Sequence, residues 1–364
     1  MTAGRRARLL GLAAVLAALP SGGSPEAAGS GLKPGLMPVS VVIHRINAFR
    51  IGSNQVRFGP LTYLGGFEIE GRIRHFGGFS ALEMLDGGRR MLALADNGIW
   101  FTAEVEYDGS GRPYGLAHAG LAPIVGASGK PLIDTRQDSD SEGLSLSRDG
   151  GKPSLLVSFE RDHRIVRYPF DPTFRMLKPG RRLKIPRATG RLSYNKGLEA
   201  LAEFPGGAGR EPLLVAIAER ARNAGDDLPG WFRRGGKWSS FHVRKIGAFQ
   251  ATDAAFLPDG DLLLLERRFN LAEGVGMRIR RFRAGDFRKG ARLEGQVLLT
   301  ADFAYQIDNM EGLAVHRNAR GETIVSLISD DNRSILQRTL FLQFRYTDRR
   351  TGKKPGELRG STDG

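Results

Sequence analysis

The chain has 364 residues, 41% of them hydrophobic, enough for one large all-β domain or two ordinary ones. It contains no cysteine, which excludes disulfides, a thiol nucleophile, cysteine-ligated zinc and lipoprotein attachment. Its 49 glycines and 18 prolines suit many turns better than long helices, and its formal charge of +15 favours anionic partners, although the basic residues are scattered rather than gathered in one tract.

The chain opens with Arg5, Arg6 and Arg8, followed by an apolar run at 9–19 (LLGLAAVLAAL), Pro20 and the small-residue stretch SGGSPEAAGS. The run is too short to span a bilayer and has the order of an export signal, expected over 1–28 with cleavage between 22 and 30. The alternative reading is a helix of the folded domain. No other segment is long and apolar enough for a membrane span. The mature protein is therefore expected to be soluble, monomeric, and periplasmic or secreted.

Residues 39–51 and 61–73 (LTYLGGFEIEGRI) read as strands. From 76 onward the sequence is self-similar. Five units can be aligned: GGFSALEMLDGGRRMLALADNGIWFTAEV, DSDSEGLSLSRDGGKPSLLVSFERDHRIVRYPF, GLEALAEFPGGAGREPLLVAIAERAR, ATDAAFLPDGDLLLLERRF and MEGLAVHRNARGETIVSLISDDNRS. Each has a short polar opening, a small-residue strand, a turn, and an apolar second strand ending in acid or acid-Arg. Third strands follow at 99–106, 164–170, 241–246, 277–282 and 340–346. Wholly apolar second strands imply burial on both faces, as in sheets stacked around an axis. The expected fold is all-β, a β-propeller of five to six blades with four-stranded antiparallel blades, spanning 36–346. The strands before 76 either form a further blade or complete the last one. Residues 220–237 (RARNAGDDLPGWFRRGGK) read as a polar insertion of the third unit, with Trp231 to Arg234 as a lip over the channel or a loop anchor. Residues 347–364 read as a disordered tail.

In an antiparallel hairpin the start of one strand lies beside the end of the next. The strand openings Ser80, Glu142, Glu199, Asp253 and Glu311 should therefore share one face with the second-strand ends. These are Asp96-Asn97, Glu160-Arg161, Glu219-Arg220, Glu266-Arg267 and Asp330-Asp331. Carboxylates gathered at one mouth repel unless arginine or a divalent cation offsets them, and calcium takes several such oxygens. Neighbouring carboxylates also allow one to hold a proton while another activates water, and arginine forks to phosphate. Each acid has a structural reading as well, bonding backbone N–H groups of the adjacent blade or pairing with its arginine. The spacing Asp138, Asp140, Glu142, Gly143 superficially fits a calcium loop, with Asp149 further on, but a strand follows it and no flanking helices are evident. His163 and His316 lie near the acidic openings in sequence. No GxSxG elbow, HExxH or Walker A motif is present.

The motifs DSEGLSLSRDG, LLVSFERDHRIVRY, KGLEALA, ATDAAFLPDGDLLLLERRF and NMEGLAVH, across 76–346, resemble the family called esterase-like activity of phytase, the phytase-like domain of exported bacterial proteins. The resemblance implies a propeller-like repeat domain with recurrent acids in phosphoester hydrolysis. Carried over, these are Glu142, Glu199, Asp253 and Glu311, with Ser80 departing from the pattern. The calcium-site motifs of true β-propeller phytases are not seen. The expected function is an exported hydrolase of phosphoric esters. Arg161, Arg220, Arg267 and Asn97 would hold the substrate, and Asp96, Glu160, Glu219, Glu266 and Asp330 a divalent cation such as calcium. The alternative is a non-enzymatic periplasmic propeller that binds an anionic ligand or protein partner. Nucleic-acid binding is not expected, since no basic and aromatic residues interleave on the strands.

Overall fold

The computed structural model describes residues 35–348, apart from 134, 149–151, 175–177, 208, 222, 224 and 271–272. The expected export signal, Asp149 and the tail beyond 348 lie outside the described residues. Five sheets radiate around one axis. The first blade runs from inner to outer strand as Phe79–Leu85, Arg90–Ala95, Ile99–Tyr107 and Pro113–Pro123, with Met37–Pro38 on its edge. The second is Ser141–Ser147, Ser154–Phe159, Arg164–Pro169 and Arg181–Arg182. The third is Leu198–Phe204, Leu213–Ala218, Leu228–Arg234 and Lys237–Val243, with Arg292–Leu293 added in parallel. The fourth is Gln250–Phe256, Leu262–Asn270, Gly274–Phe282 and Gln296–Ala301. The fifth begins with Asn309–Arg317, Thr323–Asp330 and Leu340–Tyr346.

The fifth blade takes its fourth strand from the start of the domain. Leu61–Gly71 pairs with Leu340–Tyr346, and Val41–Ile46 pairs outside it. The early strands thus complete the last blade, and the blade count is five. Blades have four to six strands rather than a uniform four.

Each second strand is apolar because it is sandwiched between two blades. In the fourth blade Leu262 and Leu264 pack towards the third, while Leu263 and Leu265 pack towards the fifth. Five buried clusters fill the five spaces between blades. Each buried leucine or phenylalanine contributes about 1.5–3 kcal/mol.

The segment 220–237 is not an insertion. Leu228–Arg234 is the third strand of its blade, and the residues from 241, expected as that strand, belong to the fourth, Lys237–Val243. Pro229, Gly230 and the charged flanks hid the alternation. Gly230 is needed where it is, since a Cβ there would stand 2.5 Å from Phe241 Cζ. Trp231 and Phe232 are buried core residues, not a lip. The first two residues of the expected tail are docked: Thr347 N–H donates to Pro60 O at 2.9 Å, and Asp348 pairs with Arg281 at 2.9 Å. Among the described residues no helix is long and apolar enough to cross a membrane.

Candidate functional site: an acidic mouth on the propeller axis

The inner strand of a blade is an edge strand, so its outward N–H and C=O groups need partners. Side chains of the preceding blade supply several. Ser80 Oγ donates to Ser141 O at 2.7 Å, Ser158 Oγ to Leu198 O at 2.6 Å, and Thr252 Oγ1 to Met310 O at 3.3 Å. The Glu83 carboxylate accepts from Leu146 N–H at 2.7 Å.

Every inner strand also carries a bulge near its start, which re-aims one side chain. The bulged residues are Ser80, Glu142, Glu199, Thr252 and Glu311, in blade order. The recurring Glu-Gly-Leu at 142–144 and 311–313 now has a physical meaning. The glutamate is turned to the axis, and the glycine admits the next blade. A Cβ on Gly143 would meet Glu199 O at 2.4 Å, and one on Gly312 would meet the Ala81 backbone at 2.9 Å.

Register also sets the companion positions. The residues across from the strand starts are Asp96, Glu160, Glu219, Arg267 and Asp330. The fourth blade therefore stands one residue out of step with its sequence alignment. It contributes Thr252 and Arg267 to the ring, not Asp253 and Glu266. Asp253 is fully buried, and its carboxylate accepts from Leu313 N–H at 2.7 Å and Ala254 N–H at 2.8 Å. Glu266, also fully buried, is bound by Arg280 at 2.5 and 2.8 Å within the blade.

The remaining predicted acids converge. Asp140, Glu142 and Glu160 bring carboxylate oxygens within 4.8 Å of one another, as do Glu160, Glu199 and Glu219. On the opposite side Glu311 faces Arg267 at 3.1 Å and accepts from Asn309 Nδ2 at 2.7 Å. Arg267 also reaches Glu219 at 3.6 Å. Asp330 and Asp96 complete the ring, and Arg333 donates to Asp96 at 2.5 Å.

Electrostatics follow from burial. The Glu142 carboxyl is pushed well above the usual range by burial and then by Glu160, Asp140, Glu311 and Asp96. Glu199 is raised likewise by burial, then by Glu142, Glu160 and Glu219. Burial also raises Asp330, with Glu311 next, and Glu160, which hydrogen bonds from Glu199 and Gly197 partly offset. Glu311 is raised by burial and held back by Arg267. Burial alone would lower Arg267, but Glu311 and Glu219 keep it above its ordinary value.

Of the predicted substrate ligands, Arg161 is bound to Asp140 and lies 5.4 Å over the Tyr194 ring. Arg220 is half exposed and only 3.8 Å from Glu219. Asn97 Oδ1 is buried with no hydrogen-bond partner among the described residues. Sequence reasoning missed Lys196, 3.0 Å from Glu219, as well as Asn309 and Arg333. Lys196 precedes the motif GLEALA directly, and its place beside an inner-strand start was the available signal. His163 bonds Ser193 O at 3.1 Å. His316 lies at the far end of the channel beside a cavity of about 730 Å³, also lined by Glu83, Arg148 and Phe204. The one-turn helix Arg136–Ser139 and the strand after it exclude a helix-flanked calcium loop at 138–143.

No curated protein matches the chain in sequence. Among solved structures, a thermostable family-43 glycoside hydrolase is 11% identical with a TM-score of 0.49, covering 80% of this chain and 97% of that one. An exo-1,5-α-L-arabinanase from a bovine ruminal metagenomic library is 11% identical with a TM-score of 0.44, covering 77% and 98%. A protein of unknown function from Dyadobacter fermentans is 14% identical with a TM-score of 0.39, covering 86% and 100%. The family described as Phytase-like, esterase-like activity of phytase, matches residues 74–333. That span holds all five inner strands and every acid of the mouth, and the chain belongs to this family.

Proposed function

We propose that this protein hydrolyses phosphoric esters at the acidic mouth with the help of a divalent cation. The observation that carries the reading is that Asp140, Glu142 and Glu160 bring carboxylate oxygens within 4.8 Å of one another, and that Glu160, Glu199 and Glu219 do the same. The donors are all hard oxygens, which suits calcium or a similar ion. Family membership supports ester hydrolysis. A bound cation would offset carboxylate repulsion and polarise a phosphoryl oxygen.

The chain's own groups divide the remaining work. Burial raises the carboxyls of Asp330 and Glu311, which favours their protonated form, and both stand at the mouth where a proton could pass to a leaving oxygen. Arg267 fixes Glu311 and Glu219 and is committed to them. Arg220, half exposed and loosely held, is the guanidinium able to swing onto a phosphate. Asp253 and Glu266 serve the scaffold. The basic and apolar start of the chain supports export before the protein acts.

The test is turnover of aryl phosphomonoesters and diesters with added calcium, magnesium or manganese, and with chelator. Turnover that falls with chelator, and at least about 100-fold in Glu199→Gln, is expected. Absence of turnover with every cation, or full activity in Glu199→Gln, would overturn the proposal. Saturable binding of the same esters without hydrolysis would assign the mouth to recognition instead.

A further inference from the structure

We propose that the mouth holds two divalent cations side by side, with Glu160 as the carboxylate shared between them. The inference rests on the cation-assisted reading of this site and deepens it.

The carboxylates do not form one set of five. Asp140 and Glu142 gather with Glu160 on the second blade, and Glu199 and Glu219 gather with the same Glu160 from the third. Within each triad the oxygens stand no more than 4.8 Å apart. Oxygens 2.3–2.6 Å from a calcium ion lie at most about 5 Å from each other across it, so each triad is the size of one ion's shell. Two ions joined by one carboxylate sit about 3.5–4 Å apart, the spacing of centres that clamp both oxygens of a displacement.

Glu160 is held in the shared position by the backbone. Gly197 N–H, at the entry to the third blade, donates to Glu160 Oε1 at 2.7 Å and draws the side chain across the gap between blades. A Cβ on Gly197 would stand 3.0 Å from Glu160 Cγ and 3.1 Å from His163 Nδ1, close enough to displace the Glu160 side chain slightly.

Glu142 supplies a second, independent sign of a missing partner. Its residue is only 9% exposed. Among the described residues it has no hydrogen-bond or ion-pair partner, and the charges that act on it most are those of other carboxylates. Glu219 has Lys196 Nζ at 3.0 Å, yet its buried Oε2 makes no hydrogen bond of acceptable geometry.

The experiment is calcium titration of the whole protein by calorimetry, with electron paramagnetic resonance of the manganese-loaded form. Two ions per chain and the multiline spectrum of an exchange-coupled manganese pair are expected. Glu142→Gln and Glu219→Gln should each retain one ion, and Glu160→Gln should weaken both. Gly197→Ala keeps every carboxylate and guards against a variant that simply misfolds. Moving a supporting contact of this kind should weaken both ions about 10–100-fold. One ion per chain, or two uncoupled ions with Glu160→Gln losing only one, overturns the proposal. Turnover with a single ion sinks the pair and leaves the hydrolase reading intact. A coupled pair without turnover does the reverse.

Discussion

Replacing Arg267 by Gln tests whether the mouth is balanced as its geometry implies. The guanidinium stands 3.1 Å from Glu311 and 3.6 Å from Glu219, and the three side chains are 26%, 11% and 2% exposed. At an effective dielectric near 20, each contact attracts by about 5 kcal/mol before desolvation is subtracted. Breaking a buried pair by removing one partner costs about 3–5 kcal/mol. Glu311 keeps Asn309 and Glu219 keeps Lys196, so a loss near 3 kcal/mol is expected at pH 8. The loss has a pH signature. Burial already raises Glu311, and Arg267 is what restrains it. In Arg267→Gln that carboxyl protonates more readily in the folded state, so the folded form binds more protons than the unfolded one and the deficit shrinks as pH falls towards 5. Urea denaturation followed by tryptophan fluorescence at pH 5 and 8 measures both. A loss under about 1 kcal/mol at pH 8, or equal losses at the two pH values, would refute the reasoning.

Two further substitutions separate scaffold from site. At the far end of the channel, burial lifts Glu83 to about 7. Its folded pKa exceeds its unfolded one, so its contribution is present at low pH and lost as pH rises through 7. Glu83→Gln, which keeps an acceptor for Leu146 N–H, should be nearly neutral at pH 4 and stabilise the protein by about 3 kcal/mol at pH 8. The same urea curves read this, and no gain at pH 8 refutes it. Asp253→Asn removes one of two buried acceptors. It should cost about 1–3 kcal/mol yet keep at least half the turnover of the wild type, and a fall of turnover as large as that of Glu199→Gln would return Asp253 to the catalytic set.

The propeller was legible because its physics repeats. A strand buried on both faces must be apolar along its length, and five such strands recur with polar ends. The acids at 142 and 311 were legible for a related reason, since Glu-Gly pairs mark where a side chain turns out and the next backbone comes close, and Glu199 was legible from its place at the same strand opening. What could not be read was register. In the fourth blade Ala-Thr-Asp and Glu-Arg invite alignment on the acids, but the bulge falls on Thr252 and the pairing sets Arg267 opposite the strand start. A one-residue slip moves each side chain to the other face of its strand. The third strand of the third blade was hidden because its proline, glycine and arginines mimic a loop, while tertiary packing supplies its two aromatic anchors.

The fifth blade joins the two ends of the domain. Leu61 pairs with Tyr346, nearly the whole described chain apart. During synthesis the early strands wait for the strand at 340–346, so the ring cannot lock until that strand has been made. Until then the strand at 61–71 presents an unpaired edge, the surface that a chaperone or translocation machinery would hold open.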